Sequence, residues 1–187
     1  LEDRISVAGG ADGRVYVGRA GGQSVRVYDA GLRRVGELGE GKDEFGQPTG
    51  IALDDRGCVY VADSKENRVR VYNPDFTRKA TFGSAGSGNG QFRRPLSLAI
   101  DRGAGEVYVV DQPVIETEVG TASGARVQVF DLEGGYLRSF GSFGRGDGYL
   151  ARPSGVALDG TGRVYVADAF QNVVQVFTRE GEFLGSV

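Results

Sequence analysis

Apolar residues along the chain follow a four-part pattern that occurs four times. Its clearest marker is the second segment, which reads Val-Tyr-Val at residues 15–17, 59–61, 107–109 and 164–166. Short β-branched and aromatic segments separated by turns rich in Gly, Asp and Asn are typical of antiparallel strands. The pattern therefore predicts four four-stranded units, over residues 5–39, 50–83, 97–141 and 155–187.

The third segment of each unit alternates apolar and polar residues. It reads Val-Arg-Val-Tyr at residues 25–28 and 69–72, and Val-Gln-Val-Phe at residues 127–130 and 174–177. The second segment is apolar almost throughout, so we expect it between neighbouring sheets. The third, with an Arg or Gln between valines, is expected nearer the rim.

Differences in spacing between the units fall in loops. The second segments begin at residues 15, 59, 107 and 164, and the extra residues of the longer intervals lie in the linkers, in the turn before Glu106, and between residues 109 and 127. Loops accept insertions at small cost, whereas strands do not.

Each unit has two partly apolar sheet faces that it cannot bury alone. Packing the units face to face around an axis buries both faces, which is the architecture of a β-propeller. A stacked solenoid is the alternative, but four antiparallel strands in roughly 44 residues favour propeller blades. The fold class predicted is all-β: a β-propeller segment of four blades.

Several segments resemble the NHL repeat, which is named for an Asn-His-Leu element. The resemblance rests on Gly-Ile-Ala-Leu-Asp at residues 50–54, Val-Tyr-Val-Ala-Asp at 59–63 and Asn-Arg-Val-Arg-Val-Tyr at 67–72, and on residues 155–177. The linkers at residues 45–48, 92–95 and 150–153, each ending in proline, are similar to the family's inter-repeat linkers. The first unit departs from the family pattern at Gly10, Arg19 and Gln23, and the third at Ala125.

The resemblance implies a ring of roughly six blades. Four blades then form an arc, or a part of a ring closed by other blades or another chain. In that case the outer side faces of the first and fourth blades stay open unless further protein covers them. We expect those faces to carry Val15, Val17, Val164 and Val166.

Composition excludes several kinds of chemistry. The 187 residues include no His, Trp or Met and a single Cys, Cys58. Without His there is no Ser-His-Asp or Cys-His catalytic group and no imidazole metal site. The net charge of −3 argues against a strongly nucleic-acid-binding surface. The chain begins at Leu1, so we expect it to be processed, truncated or partial, and no segment is long and apolar enough to span a membrane.

Carboxylates and amides recur at two positions of the repeat. Asp63, Asp111 and Asp168 end the second segment of their blades, and Asn67 and Asn172 follow in the next turn. The same residue at the same repeat position indicates a structural role, in which the carboxylate accepts backbone N–H groups of the turn and the asparagine assists. The functional alternative is that these aspartates line one face of the ring.

Two sets of residues are candidates for contacts with a partner. Gln47, Arg94 and Arg152 directly precede the linker prolines, so we expect them near the mouth of the central channel, where they contact an anion or acidic partner or remain solvated. The second set lies in the only large insertion, residues 112–123, where apolar and acidic residues alternate. Loops that differ from their siblings are the best candidates for specific contacts, although a solvated loop is the alternative. The insertion residues are Val114, Ile115, Glu116 and Glu118.

No cofactor or metal site is predicted. The glycine-rich residues 86–90 precede a strand and lack the helix and Lys of a phosphate-binding loop, and no Asp-x-Asp-x-Asp-Gly calcium loop is present.

The function predicted is a non-catalytic scaffold that contacts a protein partner or further blades, and the family resemblance favours an extracytoplasmic or secreted location. Two alternatives remain: part of a lactonase- or lyase-type propeller enzyme with a metal site completed by other blades, and an RNA-binding domain.

Overall fold

In the computed structural model, which describes residues 5–19, 21–39, 41, 45–112 and 124–187, the chain folds into four sheets. Blade 1 contains β1 (Ile5–Gly9), β2 (Val15–Arg19), β3 (Val25–Tyr28) and β4 (Arg34–Leu38). Blade 2 contains β5 (Pro48–Leu53), β6 (Val59–Asp63), β7 (Arg68–Tyr72) and β8 (Arg78–Phe82). Blade 3 contains β9 (Pro95–Asp101), β10 (Glu106–Asp111), β11 (Arg126–Asp131) and β12 (Tyr136–Phe140). Blade 4 contains β15 (Pro153–Leu158), β16 (Val164–Asp168), β17 (Val173–Phe177) and β18 (Phe183–Ser186).

Each sheet has its strands in chain order, and every neighbouring pair within a blade is antiparallel. A further short parallel pair, β13 (Ser142–Phe143) and β14 (Tyr149–Leu150), lies in the linker between blades 3 and 4. The prediction of an all-β chain with four four-stranded antiparallel blades is confirmed. None of the described residues forms a helix of the length and apolarity needed to cross a membrane.

The first strand of each blade is the innermost. β1 packs against β5, β5 against β9, and β9 against β15, so the blades follow one another around a common axis. β5, β9 and β15 begin at Pro48, Pro95 and Pro153, two residues before the boundaries predicted from the sequence. Proline has no backbone N–H to give to a ladder and therefore suits the first position of a strand.

The core consists of three layers, each between two neighbouring blades. β6 is buried along its whole length, because Val59 and Val61 pack towards blade 1 while Tyr60 and Ala62 pack towards blade 3. Successive side chains of a strand point to opposite sides, so a strand that is apolar throughout fits between two sheets. The predicted place of the second strand is thereby confirmed.

Polar side chains of the third strands of blades 2, 3 and 4 are buried, which the sequence pattern did not indicate, whereas Arg26 of β3 in blade 1 is exposed. β7, β11 and β17 lie one strand further from the axis than the second strands, as expected. Arg70, Gln128 and Gln175 nevertheless have exposed fractions of 3%, 0% and 1%. The linkers that enter each blade cover them.

The expected location of Val164 and Val166 is wrong. Both are fully buried against blade 3, because the register of β15, β16 and β17 puts them on the same face as Val156 and Gln175. Tyr165 and Ala167, the alternate residues of β16, lie on the open side of blade 4 and are half-buried. Val15 and Val17 are half-buried on the side of blade 1 that faces away from blade 2.

Candidate functional site

The linkers that enter blades 2, 3 and 4 are held by the aspartate that ends the second strand of the same blade. The Asp63 carboxylate accepts the backbone N–H groups of Gly46 and Gln47, both at 2.9 Å, and that of Glu66 at 3.1 Å. The first two donors lie in the linker and the third in the following turn. Each aspartate therefore joins a turn or linker to a strand end.

Asp111 and Asp168 occupy the equivalent position in blades 3 and 4, but their carboxylates accept hydrogen bonds from different numbers of backbone N–H groups. Asp111 accepts the N–H groups of Arg93 and Arg94, both at 2.9 Å, and burial raises its pKa although these hydrogen bonds oppose the change. Asp168 is also buried, which by itself would raise its pKa. Backbone N–H groups of the turn and the linker outweigh burial, however, and the pKa of Asp168 is lowered. The donors to Asp168 are the N–H groups of Ala151, Arg152, Phe170 and Gln171.

Asn67 and Asn172 shape the turns through their backbone. Their φ angles are 53° and 56°, in the left-handed region that asparagine tolerates better than most residues. This conformation brings the turn back towards the third strand.

Glutamine side chains of the third strands of blades 3 and 4 also form hydrogen bonds with the linkers. The Gln128 side chain accepts the N–H of Gly90 at 3.0 Å and donates to the carbonyl oxygen of Gln91 at 2.7 Å. Gln175 accepts the N–H of Gly148 at 2.8 Å and donates to the carbonyl oxygen of Tyr149. In blade 2 the corresponding residue is Arg70, which pairs with Asp63 at 3.4 Å and lies 4.7 Å from the centre of the Phe45 ring. The linkers are thus fastened to their blades at several points.

Gln47, Arg94 and Arg152 occupy equivalent positions, each directly before the first residue of an innermost strand, β5, β9 or β15. Their carbonyl oxygens accept the N–H groups of Ser64, Gln112 and Ala169, the residues that follow the three aspartates. Gln47 and Arg94 are half-buried, and the Gln47 side chain accepts a hydrogen bond from the Ser64 hydroxyl at 2.9 Å. Arg152 is exposed and donates to the carbonyl oxygen of Ala169 at 3.2 Å. The candidate residues Val114, Ile115, Glu116 and Glu118 lie outside the described residues.

Exposed aromatic residues occur in the linker that enters blade 4 and in the turn that follows β16. Phe143 and Tyr149 lie in that linker and are 39% and 50% exposed, and Phe170 in the adjoining turn is 46% exposed. The Arg145 guanidinium lies 4.6 Å from the centre of the Phe170 ring. We call these four residues the linker patch. Sequence reasoning missed it, although an aromatic residue placed in a turn rather than a strand was an available signal.

Gln171 joins the two segments of the linker patch. Its side chain accepts the N–H of Gly146 at 2.6 Å and donates to the carbonyl oxygen of Tyr149 at 2.8 Å. The linker and the turn are therefore hydrogen-bonded to each other through one side chain.

A cavity of about 590 Å³ lies at the opposite ends of the innermost strands. Three of its charged residues form ion pairs: Asp101 contacts the Arg179 guanidinium at 2.7 Å, and Arg102 contacts Asp55 at 3.3 Å. Asp159, which also lines the cavity, accepts hydrogen bonds from the hydroxyl groups of Thr161 and Tyr165. Within the described part of the chain, His, Cys, Asp and Glu residues form no group of three or more suited to a metal ion.

Comparison with known proteins connects these blades to a repeat family and to solved propellers. The family model of the NHL repeat matches residues 45–72. The chain is 25% identical over 151 residues to Protein brain tumor of Drosophila melanogaster, covering 81% of this chain and 13% of that protein. It is 28% identical over 155 residues to B-box type zinc finger protein ncl-1 of Caenorhabditis elegans, covering 78% of this chain and 17% of that protein. The chain thus spans less than a fifth of either relative.

Among solved structures, a catalytically inactive virginiamycin B lyase from Staphylococcus aureus, crystallised with quinupristin, superposes with a TM-score of 0.72. The match covers 97% of this chain and 54% of the lyase, at 12% identity. At this identity the likeness shows the propeller fold alone.

Proposed function

We propose that this NHL-repeat β-propeller chain is a non-catalytic binding module that holds a protein partner on the face formed by its linkers. The observation that carries the proposal is the linker patch, in which three exposed aromatic residues and Arg145 belong to one linker and to the turn that is hydrogen-bonded to it. Exposed apolar residues that occur singly are common on protein surfaces, whereas a cluster marks a contact site.

The composition of the linker patch suits a protein partner. Aromatic residues and arginine are enriched in the centres of protein–protein interfaces, where they contribute most of the binding energy. Hydrogen bonds of Asp168, Gln171 and Gln175 fix the backbone beneath the patch, so little conformational entropy is lost on binding. Arg152, and on the neighbouring linkers Gln47 and Arg94, extend the proposed surface.

The insertion between β10 and β11 belongs to the same proposal. It leaves blade 3 after Asp111, at the end of the strand where that carboxylate holds the linker. We propose that Val114, Ile115, Glu116 and Glu118 add specific contacts to the partner.

A binding role also accounts for the polar groups at the strand ends. The three aspartates accept backbone N–H groups of the linkers, and the chain has no His to act as a general base or metal ligand. We therefore propose that the chain does not catalyse a reaction.

A peptide-selection experiment tests the proposal with a defined probe. Peptides selected from a random displayed library on the immobilised chain are expected to lose at least about tenfold in affinity, or about 1.4 kcal/mol, towards the double variant Arg145→Glu, Phe170→Ala. Leu137→Ala serves as the matched control, because Leu137 is equally exposed on β12, outside the linker patch. Failure to select any peptide, or binding that the double variant leaves unchanged, would refute the proposal.

Binding of single-stranded RNA is the second candidate. Aromatic rings beside arginine side chains are the groups on which unpaired bases stack, and the linker patch contains both. Fluorescence anisotropy with a labelled single-stranded RNA decides between the two functions. RNA binding that weakens steeply with salt and requires Phe143 and Phe170 would favour this candidate over the protein partner.

A further inference from the structure

The linker between blades 2 and 3 contains the only Asn-Gly pair of the sequence, Asn89-Gly90. The amide nitrogen of the glycine in such a pair can lose its proton and attack Cγ of the asparagine. A succinimide ring forms, and the side-chain nitrogen leaves as ammonia. Glycine favours this reaction, because its backbone is flexible and no side chain obstructs the approach. Water then opens the ring at either carbonyl and gives aspartate or isoaspartate, in which the chain continues through the former side chain.

The pair lies in a tight turn at the surface. The N–H of Gln91 donates to the carbonyl oxygen of Gly88 at 3.1 Å, and Gly90 has a φ of 76°, as at the third position of a type II turn. Asn89 is exposed, so water reaches its side-chain amide. Exposure and the following glycine both favour ring closure at this place.

The nitrogen that would react is nevertheless held by a buried side chain. The Gly90 N–H donates to Oε1 of Gln128 at 3.0 Å, and Gln128 has an exposed fraction of 0%. Gln128 is fixed in turn, because its Nε2 donates to the carbonyl oxygen of Gln91 at 2.7 Å. Ring closure requires the nitrogen to lose its proton and to approach Cγ of Asn89. Both changes break the hydrogen bond to Gln128.

Blade 4 repeats the arrangement with an aspartate. Asp147-Gly148 lies in a turn where Gly148 has a φ of 78° and its N–H donates to Oε1 of Gln175 at 2.8 Å. An Asp-Gly pair closes to the same ring with loss of water from the protonated carboxyl group, and water reopens the ring to aspartate or isoaspartate. Asp147 thus shows that the turn accepts aspartate, whereas isoaspartate lengthens its backbone by one methylene group.

We propose that Asn89 is a site of spontaneous deamidation that the Gln128 side chain holds in check, and that Gln175 does the same for isomerisation at Asp147. The reaction proceeds only from conformations in which the linker has left the glutamine, so its rate follows the population of this local opening. Isoaspartate at position 89 displaces the Gly90 N–H from Gln128. The linker that enters blade 3 then stays released after the modification.

Deamidation of the unaltered chain is the first test. The chain is incubated in mildly alkaline buffer with or without guanidinium chloride, and the digested peptide that contains residue 89 is followed by mass spectrometry. The folded chain is expected to deamidate at least about tenfold more slowly than the unfolded chain, because the open population is small. Equal rates in the two states would overturn the proposal.

Two variants separate the action of each glutamine from general stability. Gln128→Ala is expected to raise the deamidation rate of Asn89 in the folded chain about tenfold and to leave isomerisation at Asp147 unchanged. Gln175→Ala is the matched control, because it removes a comparably buried glutamine from the other linker. It should accelerate isomerisation at Asp147 alone, as measured by enzymatic methylation of isoaspartate in the separated peptides. Acceleration of both sites by each variant, or of neither site, would contradict the proposal.

Two further measurements apply should the alanine variants fail to fold. Gln128→Met fills a similar volume but offers no oxygen to the Gly90 N–H, so Asn89 should again deamidate faster than in the unaltered chain. Hydrogen exchange of the Gly90 amide, followed by NMR in the unaltered chain, needs no variant. Slow exchange is expected, and an amide that exchanges as rapidly as one in a short peptide would refute the role of Gln128.

Discussion

The aspartates at the ends of the second strands show how one residue type acquires different properties at equivalent positions. Asp168 accepts four backbone N–H groups, and these hydrogen bonds stabilise its charged form enough to lower its pKa despite burial. Asp111 accepts two, and its pKa is raised by burial. A carboxylate that satisfies more donors contributes more to the folded state.

Replacing each aspartate by asparagine should therefore have unequal effects. Asp168→Asn is expected to lower the free energy of unfolding at pH 7 by about 2–3 kcal/mol, and Asp111→Asn by about 1 kcal/mol, because fewer charge-assisted hydrogen bonds are lost at Asp111. Urea denaturation followed by circular dichroism measures both. Equal losses would contradict this explanation.

The pH dependence of the Asp168 variant gives a second measure of the same effect. The folded pKa of Asp168 lies below its ordinary value, so its contribution is complete above about pH 4 and is lost as the pH falls through the folded pKa. The stability difference between the wild type and Asp168→Asn should shrink over that acidic range. For Asp111 the sign is opposite, since a raised pKa means that the folded state binds the proton more tightly. A difference at Asp168 that stayed constant down to about pH 2.5 would refute the assignment.

At the scale of elements, the turn between the third and fourth strands is also a contact surface for the preceding blade. Its fourth residue has a positive φ in all four blades: Leu32, Phe76, Gly134 and Gly181. At Gly134 the φ is 92°, and the Phe82 side chain of blade 2 occupies the space that a Cβ would need. Turn conformation and blade packing therefore depend on the same residue.

Gly134→Ala is expected to lower the free energy of unfolding by about 2–3 kcal/mol, from backbone strain and from overlap with Phe82. Gly160→Ala is the matched control, since no heavy atom lies within 4 Å of a Cβ added at that turn glycine. Thermal denaturation of both variants measures the difference. A loss at Gly134 no larger than at Gly160 would show that blade 2 moves away at little cost.

The whole molecule is a row of blades in which each blade packs mainly on its neighbours. β6 is buried along its whole length and β10 at all but its first residue, whereas β1 and β18 have only half-buried and exposed residues. Stability in such an arrangement depends on nearest-neighbour contacts, and the end units open most readily. The central joint between blades 2 and 3 should accordingly be the most stable part.

Hydrogen exchange followed by mass spectrometry can test this order. Backbone amides of β6 and β10 are expected to exchange most slowly, and those of β1 and β18 most rapidly, because β1 and β18 have only half-buried and exposed residues. Uniform protection of all four blades would instead indicate a single cooperative unit.

By itself the sequence determined the four blades, the approximate positions of their strands and the propeller architecture, but not the short pair β13 and β14. Strand patterning is local: alternation with a period of two and turns of Gly, Asp and Asn are visible within a few residues, and fourfold repetition makes them unmistakable. The recurrence of Asp63, Asp111 and Asp168 at one repeat position also indicated hydrogen bonding to the backbone. Their linker donors, however, lie 15 or more residues away along the chain.

Only the tertiary structure decided which face of a strand meets which neighbour and which polar groups are buried. A residue of an apolar strand can point to either side, so the orientation of Val164 and Tyr165 depends on register and on the adjacent blade. The sequence pattern predicts that Gln128 and Gln175 lie near the rim, whereas in the structure the linkers cover both side chains. The linker patch arises in the same way, because the turn after β16 brings Phe170 against Arg145, which lies 25 residues earlier in the chain. Such contacts arise when the chain folds back on itself, and no local pattern records them.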